Sequence, residues 1–292
     1  MPRAHRVHLT VSIFVLTFGL LLNRSAQAAD ADAPIRALFI CGGCCHDYAK
    51  QKDIITEGIS KRANVEWVIA FDPDRTTHHL NPVYENPDWF KGFDVIVHDE
   101  CSADIKDLKI IDGILKPHRD GLPAVNLHCA MHCYRSEGWD PKKPAITPWF
   151  EFTGLATTGH GAQIPIAVTY LDKENPITKP LEDWTTIHEE LYNNILGHIE
   201  PTATALAHGQ QIVKEKDGTE KTVETTVVWT NMYMNKTRVF STTLGHNDET
   251  CADPRYLDLV TRGLLWSVDK LDDAHLKPAE KTLFNPETEP AK

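Results

Sequence analysis

The chain predicts an α/β fold: a flavodoxin-like parallel sheet flanked by helices, with extra strands in its second half. Two observations carry that expectation. Short apolar runs rich in β-branched residues alternate with helix-compatible segments from Arg36 to His128, the rhythm of a parallel sheet covered on both faces. The same runs end at Cys41 to Asp47, His98 to Cys101 and His128 to His132. Reactive side chains therefore collect beyond the carboxyl ends of the strands, where such sheets bind ligands.

The elements follow in order. Arg3 and Arg6 precede an almost wholly apolar run from Val11 to Leu22, and Ala26-Gln27-Ala28 closes it with small residues. This predicts a signal peptide over residues 1–28, cleaved after Ala28. The apolar core is short for a bilayer span, which needs roughly 20 residues. One domain is expected over 29–270 and a polar tail over 271–292. Arg36 to Cys41 reads as a buried strand stopped by Gly42-Gly43, followed by a helix from about Lys50 to Arg62 and a strand at Val65 to Ala70. Phe93 to His98 is a third strand. Ile105, Leu108, Ile111 and Leu115 give a helical apolar face. Pro123 to Leu127 is the fourth strand, and a short helix begins at His128. Beyond it, Gln163 to Leu171, Thr202 to Ala207, Thr222 to Thr230 and Arg238 to Thr243 read as strands, with a hairpin turn at Asp217-Gly218. A last helix runs from about Pro254 to Val268.

Charge and cysteine content exclude some functions. The leader holds three of the 30 basic residues and none of the 41 acidic ones, so the mature chain carries 27 against 41, a net −14. That argues against a nucleic-acid partner or an anionic membrane surface. All seven cysteines lie in the mature chain. Export to a periplasmic or extracellular setting permits disulfides, and an odd number leaves at least one thiol over within a monomer. Cys101 and Cys133 read as small buried hydrophobes. The adjacent Cys44-Cys45 pair is unusual and reads as a tight turn that could hold a disulfide, and a homo-oligomer is a further expectation.

Five stretches offer chemistry. At His128-Cys129 a strand-to-helix corner would expose a side chain as a nucleophile elbow does. His132 lies at i+4, so two imidazoles on one helix face offer a chelating pair. Glycines before His46-Asp47 let the backbone approach a ligand. Gly159-His160-Gly161, His188-Glu189-Glu190-Leu191-Tyr192 and Leu244-Gly245-His246 complete the set. Singly, each is more often structural than functional.

The stretches LFICGGCCHD, VNLHCAMH, FTGLATTGHGA, IHEELY, VVWTNMYMNKTRVFSTTLGHNDET and YLDLVTRGLLWSV resemble the trehalose-utilisation, or ThuA-like, family, a branch of the class I glutamine-amidotransferase-like folds. The resemblance covers Arg36 to Val268 in the family's own order. It carries the family's recurring polar positions onto His46, His128, His160, Glu190, Arg238 and His246. Three departures are local: Glu189 begins the Glu-Glu-Leu-Tyr stretch where the family has Asp, Met234 to Thr237 replaces a glycine-lysine-glycine turn, and the double cysteine is added. Amidotransferases place a cysteine nucleophile in Gly-x-Cys-x-Gly at the elbow. Here that position is His128, with Cys129 one step later, so glutaminase chemistry is not expected.

The resemblance implies action on trehalose or a related disaccharide, in a setting where dehydrogenases make 3-keto sugars. A keto sugar invites proton abstraction beside its carbonyl, by a histidine or carboxylate base with a metal or cationic donor to stabilise charge. Glu190 and His160 are the expected bases, and His46, His128 and His246 the expected ligands of a divalent zinc, manganese or nickel ion. Asp47, Trp229 and Arg238 are expected to touch the substrate, a small-molecule sugar, and no nucleotide is implied. A second reading is a carbohydrate-binding protein without catalysis, its sugar stacked on Trp229, Tyr233, Trp149 or Trp184. A third is a cysteine hydrolase or redox protein using Cys129 or Cys44-Cys45.

Overall fold

In the computed structural model the first strand, β1 (Ile35–Gly43), is buried at every position but Arg36, as expected of an apolar run flanked on both sides by other strands. The structure describes residues 33–136, 140, 147–194 and 200–277. The expected leader and residues 278–292 of the expected tail lie outside these. After β1 come α1 (Tyr48–Ser60), β2 (Val65–Asp72), β3 (Val95–Cys101), α2 (Leu108–Asp120) and β4 (Ala124–Leu127). Then follow α3 (Pro148–Thr153), β5 (Thr157–Ile164), β6 (Ala167–Tyr170), β7 (Trp184–Thr185) and β8 (Glu189–Asn194). The chain continues through β9 (Ala203–Lys214), β10 (Glu220–Tyr233), β11 (Thr237–Thr242), α4 (Asp248–Ala252) and α5 (Pro254–Ser267).

The large sheet runs β2-β1-β3-β4-β11-β10-β9-β6-β7. Its first five strands are all parallel, in the 2-1-3-4-5 order of flavodoxin-like sheets, with β11 as the fifth. From β10 onward the neighbours are antiparallel, which accounts for the extra strands expected in the second half. A separate pair, β5 with β8, forms a small antiparallel sheet. The single strand expected from Gln163 to Leu171 is thus two, split between sheets at Pro165, whose ring cannot donate to a ladder.

Local chemistry sets the helix ends. Asp107 caps α2 through its carboxylate and the Lys109 amide at 2.7 Å, and Gly121 ends it at φ 115, a left-handed C-cap that favours glycine. The buried face of α2 is Ile111, Ile114 and Leu115. Leu108 of the expected face is exposed and Ile105 precedes the helix, so the apolar stripe starts a turn later than expected. α5 is capped by Asp253 and lies so close to α1 that a Cβ on Gly58 would come within 2.6 Å of Leu257. Residues 271–277 of the expected tail lie against the body, with the Lys277 amide donating to the Arg62 carbonyl at 2.7 Å.

Under β3 and α2 lies a buried polar chain: Glu100 accepts from Tyr84, and His98 contacts both Glu100 at 2.9 Å and His118 at 3.2 Å. His118 Nδ1 donates to the Leu122 carbonyl at 2.8 Å. Burial, and then the charge of His98, hold the His118 imidazole down at about 3, from an ordinary 6.5. The unfolded chain therefore binds this proton first as the pH falls. The stability this neutral ring contributes is complete above pH 6.5 and is lost progressively down to about pH 3. By linkage the effect amounts to at most roughly 5 kcal/mol. Urea unfolding between neutral pH and the acid range should show a steep fall for the native protein and a shallower one for His118→Gln. Equal slopes would refute the assignment.

Candidate active site

Three strand ends meet at one place. The turn after β1 presents His46, the corner after β4 presents His128, and the loop after β11 presents His246. Their rings stack edge to face, with centroids 4.6 Å apart for His46–His128, 4.8 Å for His46–His246 and 5.4 Å for His128–His246. One nitrogen from each lies within 4.8 Å of the other two. The three residues expected to bind metal are thus brought together from positions up to 200 residues apart.

Each ring is held by a neighbour. His128 sits at φ 41, the strained left-handed backbone that a sharp strand-to-helix corner imposes on a residue other than glycine. Its Nδ1 lies 2.6 Å from the Thr243 carbonyl. A carbonyl only accepts, so Nδ1 carries the hydrogen and Nε2 keeps its lone pair, the arrangement that outer partners impose on ligating histidines. The His246 amide and the Gly245 amide both donate to Glu189 Oε1, and Gln51 donates to the His246 carbonyl at 3.0 Å. Glu189 is fully buried, and burial pushes its carboxyl up. Its role is to fix the loop that carries His246. His46 Nε2 contacts Cys129 Sγ at 3.0 Å, while buried His46 Nδ1 has no hydrogen-bond partner among the described residues. An unpartnered ring nitrogen on His46, and another on His246, suit a borderline divalent cation.

Strand β8 of the small sheet supplies the carboxylate. Glu190 Oε2 lies 3.3 Å from His246 Nδ1 and 3.6 Å from His128 Nε2, and Oε1 lies 3.4 Å from His160 Nδ1. Gln163 donates to Oε1 at 3.1 Å. Burial pushes the Glu190 carboxyl up, but the adjoining His128 and His246 imidazoles outweigh it and hold the group far below the usual carboxylate range. Burial likewise lowers His246, yet the Glu190 contact raises it overall. Burial dominates at His128, which is lowered. Tyr192, two residues on from Glu190, reaches His128 Nε2 at 3.2 Å through its hydroxyl.

His160, on β5, is the exposed member, with 42% of its side chain open to solvent. Its Nδ1 lies 3.0 Å from the Gly161 carbonyl as well as beside Glu190. That nitrogen must donate, so Nε2 is the basic one. Asp47 is exposed at the start of α1 and lines a cleft of about 320 Å³ with His46, Phe71, Asp72 and Arg75.

Two expected substrate contacts are elsewhere. Trp229 is fully buried, packed with Met131, Leu155 and Tyr192, and its Nε1 donates to the Thr153 carbonyl at 2.7 Å. It is a core residue, because β10 lies inside the sheet and this face of it is covered by α3. Trp149 is likewise buried, donating to the Ala130 carbonyl. Arg238 stands at the amino end of β11, the opposite end of the strand from His246, where it donates to the Trp266 carbonyl and pairs with Asp269 at 2.9 Å. It anchors the end of α5. Trp229→Phe should therefore lower the unfolding free energy in urea by about 1–3 kcal/mol for an orphaned buried carbonyl, with no change in metal content. A weakened sugar affinity at unchanged stability would restore Trp229 to the binding surface.

The expected pair His128 and His132 does not form. Residues His128–His132 make a 3-10 turn, whose three residues per turn take i+4 off the shared face. His132 stacks instead on Tyr192, 4.2 Å between centroids and 4° between planes. Cys129 is buried beside His46, and its contact with Cys101, then burial, push its thiol well up, a poor state for a nucleophile. Glu189 as an anchor and Tyr192 as a His128 partner escaped the sequence reading, although both lie in the His188–Tyr192 stretch. A fully buried carboxylate beside a site leaves no mark in a single sequence.

A flavodoxin-type sheet with a histidine–carboxylate cluster at its carboxyl edge defines the class of protein. The chain belongs to the ThuA, or trehalose utilisation, family, whose profile matches residues 36–267. Two solved structures share the fold. A ThuA-like protein from Parabacteroides merdae is 18% identical, with a TM-score of 0.57 over 81% of this chain and 90% of its own. Another from Bacteroides uniformis is 16% identical, with a TM-score of 0.56 over 80% and 93%. A comparison with curated protein sequences found no match.

Proposed function

We propose that this protein is an exported, periplasmic or secreted, metal-dependent enzyme acting on a keto derivative of trehalose or a related disaccharide. The observation that carries the reading is the convergence of His46, His128 and His246 from three strand ends, their nitrogens within 4.8 Å, with a proton-handling pair beside them. A divalent zinc, manganese or nickel ion held by these three would polarise a substrate carbonyl as a Lewis acid.

The chain's own groups divide the remaining work. Both Glu190 oxygens are occupied by neighbours, so Glu190 serves as the anion that orients His160 and balances the imidazoles. His160, exposed and with Nε2 free, takes the proton from the carbon beside the carbonyl. This refines the sequence expectation of either residue as base, since a base must reach the substrate before its pKa matters. Tyr192 and Cys129 close the inner wall, and Asp47 with the cleft it lines offers hydrogen bonds to sugar hydroxyls.

The test is elemental analysis of the purified mature chain, paired with proton–deuterium exchange beside the carbonyl of a 3-keto disaccharide. Near-stoichiometric metal and exchange that chelators abolish would support the reading. Sugar binding without exchange, unaffected by chelators, would replace it with a binding protein.

A further inference from the structure

The double cysteine has a third sulfur beside it. Cys44 and Cys45 are joined by a disulfide, and Cys44 Sγ lies 3.5 Å from the Sγ of Cys101, a free thiol on β3. The backbone is built for this approach. Gly43 is the register partner of Cys101 across β1 and β3. It sits at φ 96, and a Cβ there would fall 2.4 Å from the Cys101 carbonyl. Only a glycine lets the chain turn tightly enough to bring the next residue's sulfur onto Cys101. Accessibility is graded along the three: Cys101 is buried, Cys44 half-buried and Cys45 exposed.

We propose that Cys44, Cys45 and Cys101 form a thiol–disulfide exchange site, distinct from the histidine cluster, that presents Cys45 to external disulfides of the glutathione class. The Cys101 sulfur attacks Cys44 Sγ. A Cys44–Cys101 bond forms, the Cys44–Cys45 bond breaks, and Cys45 leaves with the electron pair and takes up the proton Cys101 gave. No oxidant or reductant is consumed. Exchange requires an attacking sulfur in contact with the bond and a leaving sulfur able to depart, and the inner and outer positions of Cys101 and Cys45 meet both needs. The freed Cys45 thiol then exchanges with an external disulfide, gaining one thiol half as a mixed disulfide and releasing the other as a thiol. Cys44 directly follows Gly43, the register partner of Cys101, and its sulfur already touches that of Cys101, so the second bond forms between groups in contact.

The site is tested by acid-quenched alkylation and peptide mapping of the intact mature chain under non-reducing conditions. Trypsin places Cys44 and Cys45 in residues 37–50 and Cys101 in residues 92–106. The expected result is a fraction of chains with these two peptides cross-linked and Cys45 alkylated, alongside chains with the bond inside 37–50 and Cys101 alkylated. Oxidised glutathione should then add to Cys45. In Cys101→Ala the cross-link and the Cys45 labelling should vanish together. Only the internal bond, in every glutathione buffer tried, would overturn the proposal, as would all three thiols alkylated in an oxidised buffer. Cys45 labelling that survives in Cys101→Ala would also overturn it. Mapping of the wild-type chain decides the matter even if that variant fails to fold.

Discussion

Replacing His128 with alanine should strip the metal and end turnover while leaving the sheet in place. The ligand set then has two imidazoles, and the loss of affinity should exceed the roughly 10–100-fold typical of losing an outer-shell partner. Two side effects must be separated from this. The Thr243 carbonyl loses its donor, costing about 1–3 kcal/mol in a buried setting. The backbone at position 128 is also left-handed, which alanine tolerates poorly and asparagine better. His128→Asn is therefore the companion variant. Both should lose metal by elemental analysis, with Asn the more stable by urea unfolding. Metal retained at wild-type stoichiometry in both would remove His128 from the ligand set.

Glu190→Gln is expected to be the other severe lesion. The amide keeps the shape but removes the charge that three imidazoles face. Turnover should fall by about 10²–10⁴, the range that positioned acid–base catalysis supplies. The pH profile should shift as well. In the metal-free protein Glu190 raises His246, so the metal-free variant should hold His246 neutral at lower pH. His160→Ala, by contrast, should lose turnover when metal-loaded and, stripped of metal, keep the His246 titration, followed by NMR of the imidazole protons. An unchanged profile in Glu190→Gln would mean that the carboxylate packs the site without governing its charge.

Much of this site was visible in the sequence because its residues sit at strand ends. His46, His128 and His246 each follow an apolar run within a few residues, and the parallel rhythm alone places such positions at one edge of the sheet. What the sequence hid was orientation across the sheet. Trp229 and Arg238 lie in strands that were correctly expected, yet one faces the core and the other stands at the far end of its strand. Period-two alternation does not say which layer covers a given face, since α3 arrives from a different part of the chain. Arg238 illustrates a second limit, because a recurring polar residue near a site in sequence can be the length of a strand away in space. The His132 pairing failed for a local reason, a tighter helix than the spacing assumed. The Cys44–Cys101 contact depends on the register of β1 against β3, which no spacing of cysteines encodes.

The position of β11 has a consequence for how the molecule is made. This strand joins the parallel and antiparallel halves of the large sheet, between β4 and β10, yet it is the last strand among the described residues. Until residues 237–242 are in place, β4 and β10 each present an open edge with unpaired amides and carbonyls. The pairing of β4 with β11 closes a loop of more than a hundred residues, and such long closures are slow. A growing or partly folded chain therefore remains two unfinished sheets until its final strand arrives. The slot left for β11 is the point at which strands of other chains would compete with it.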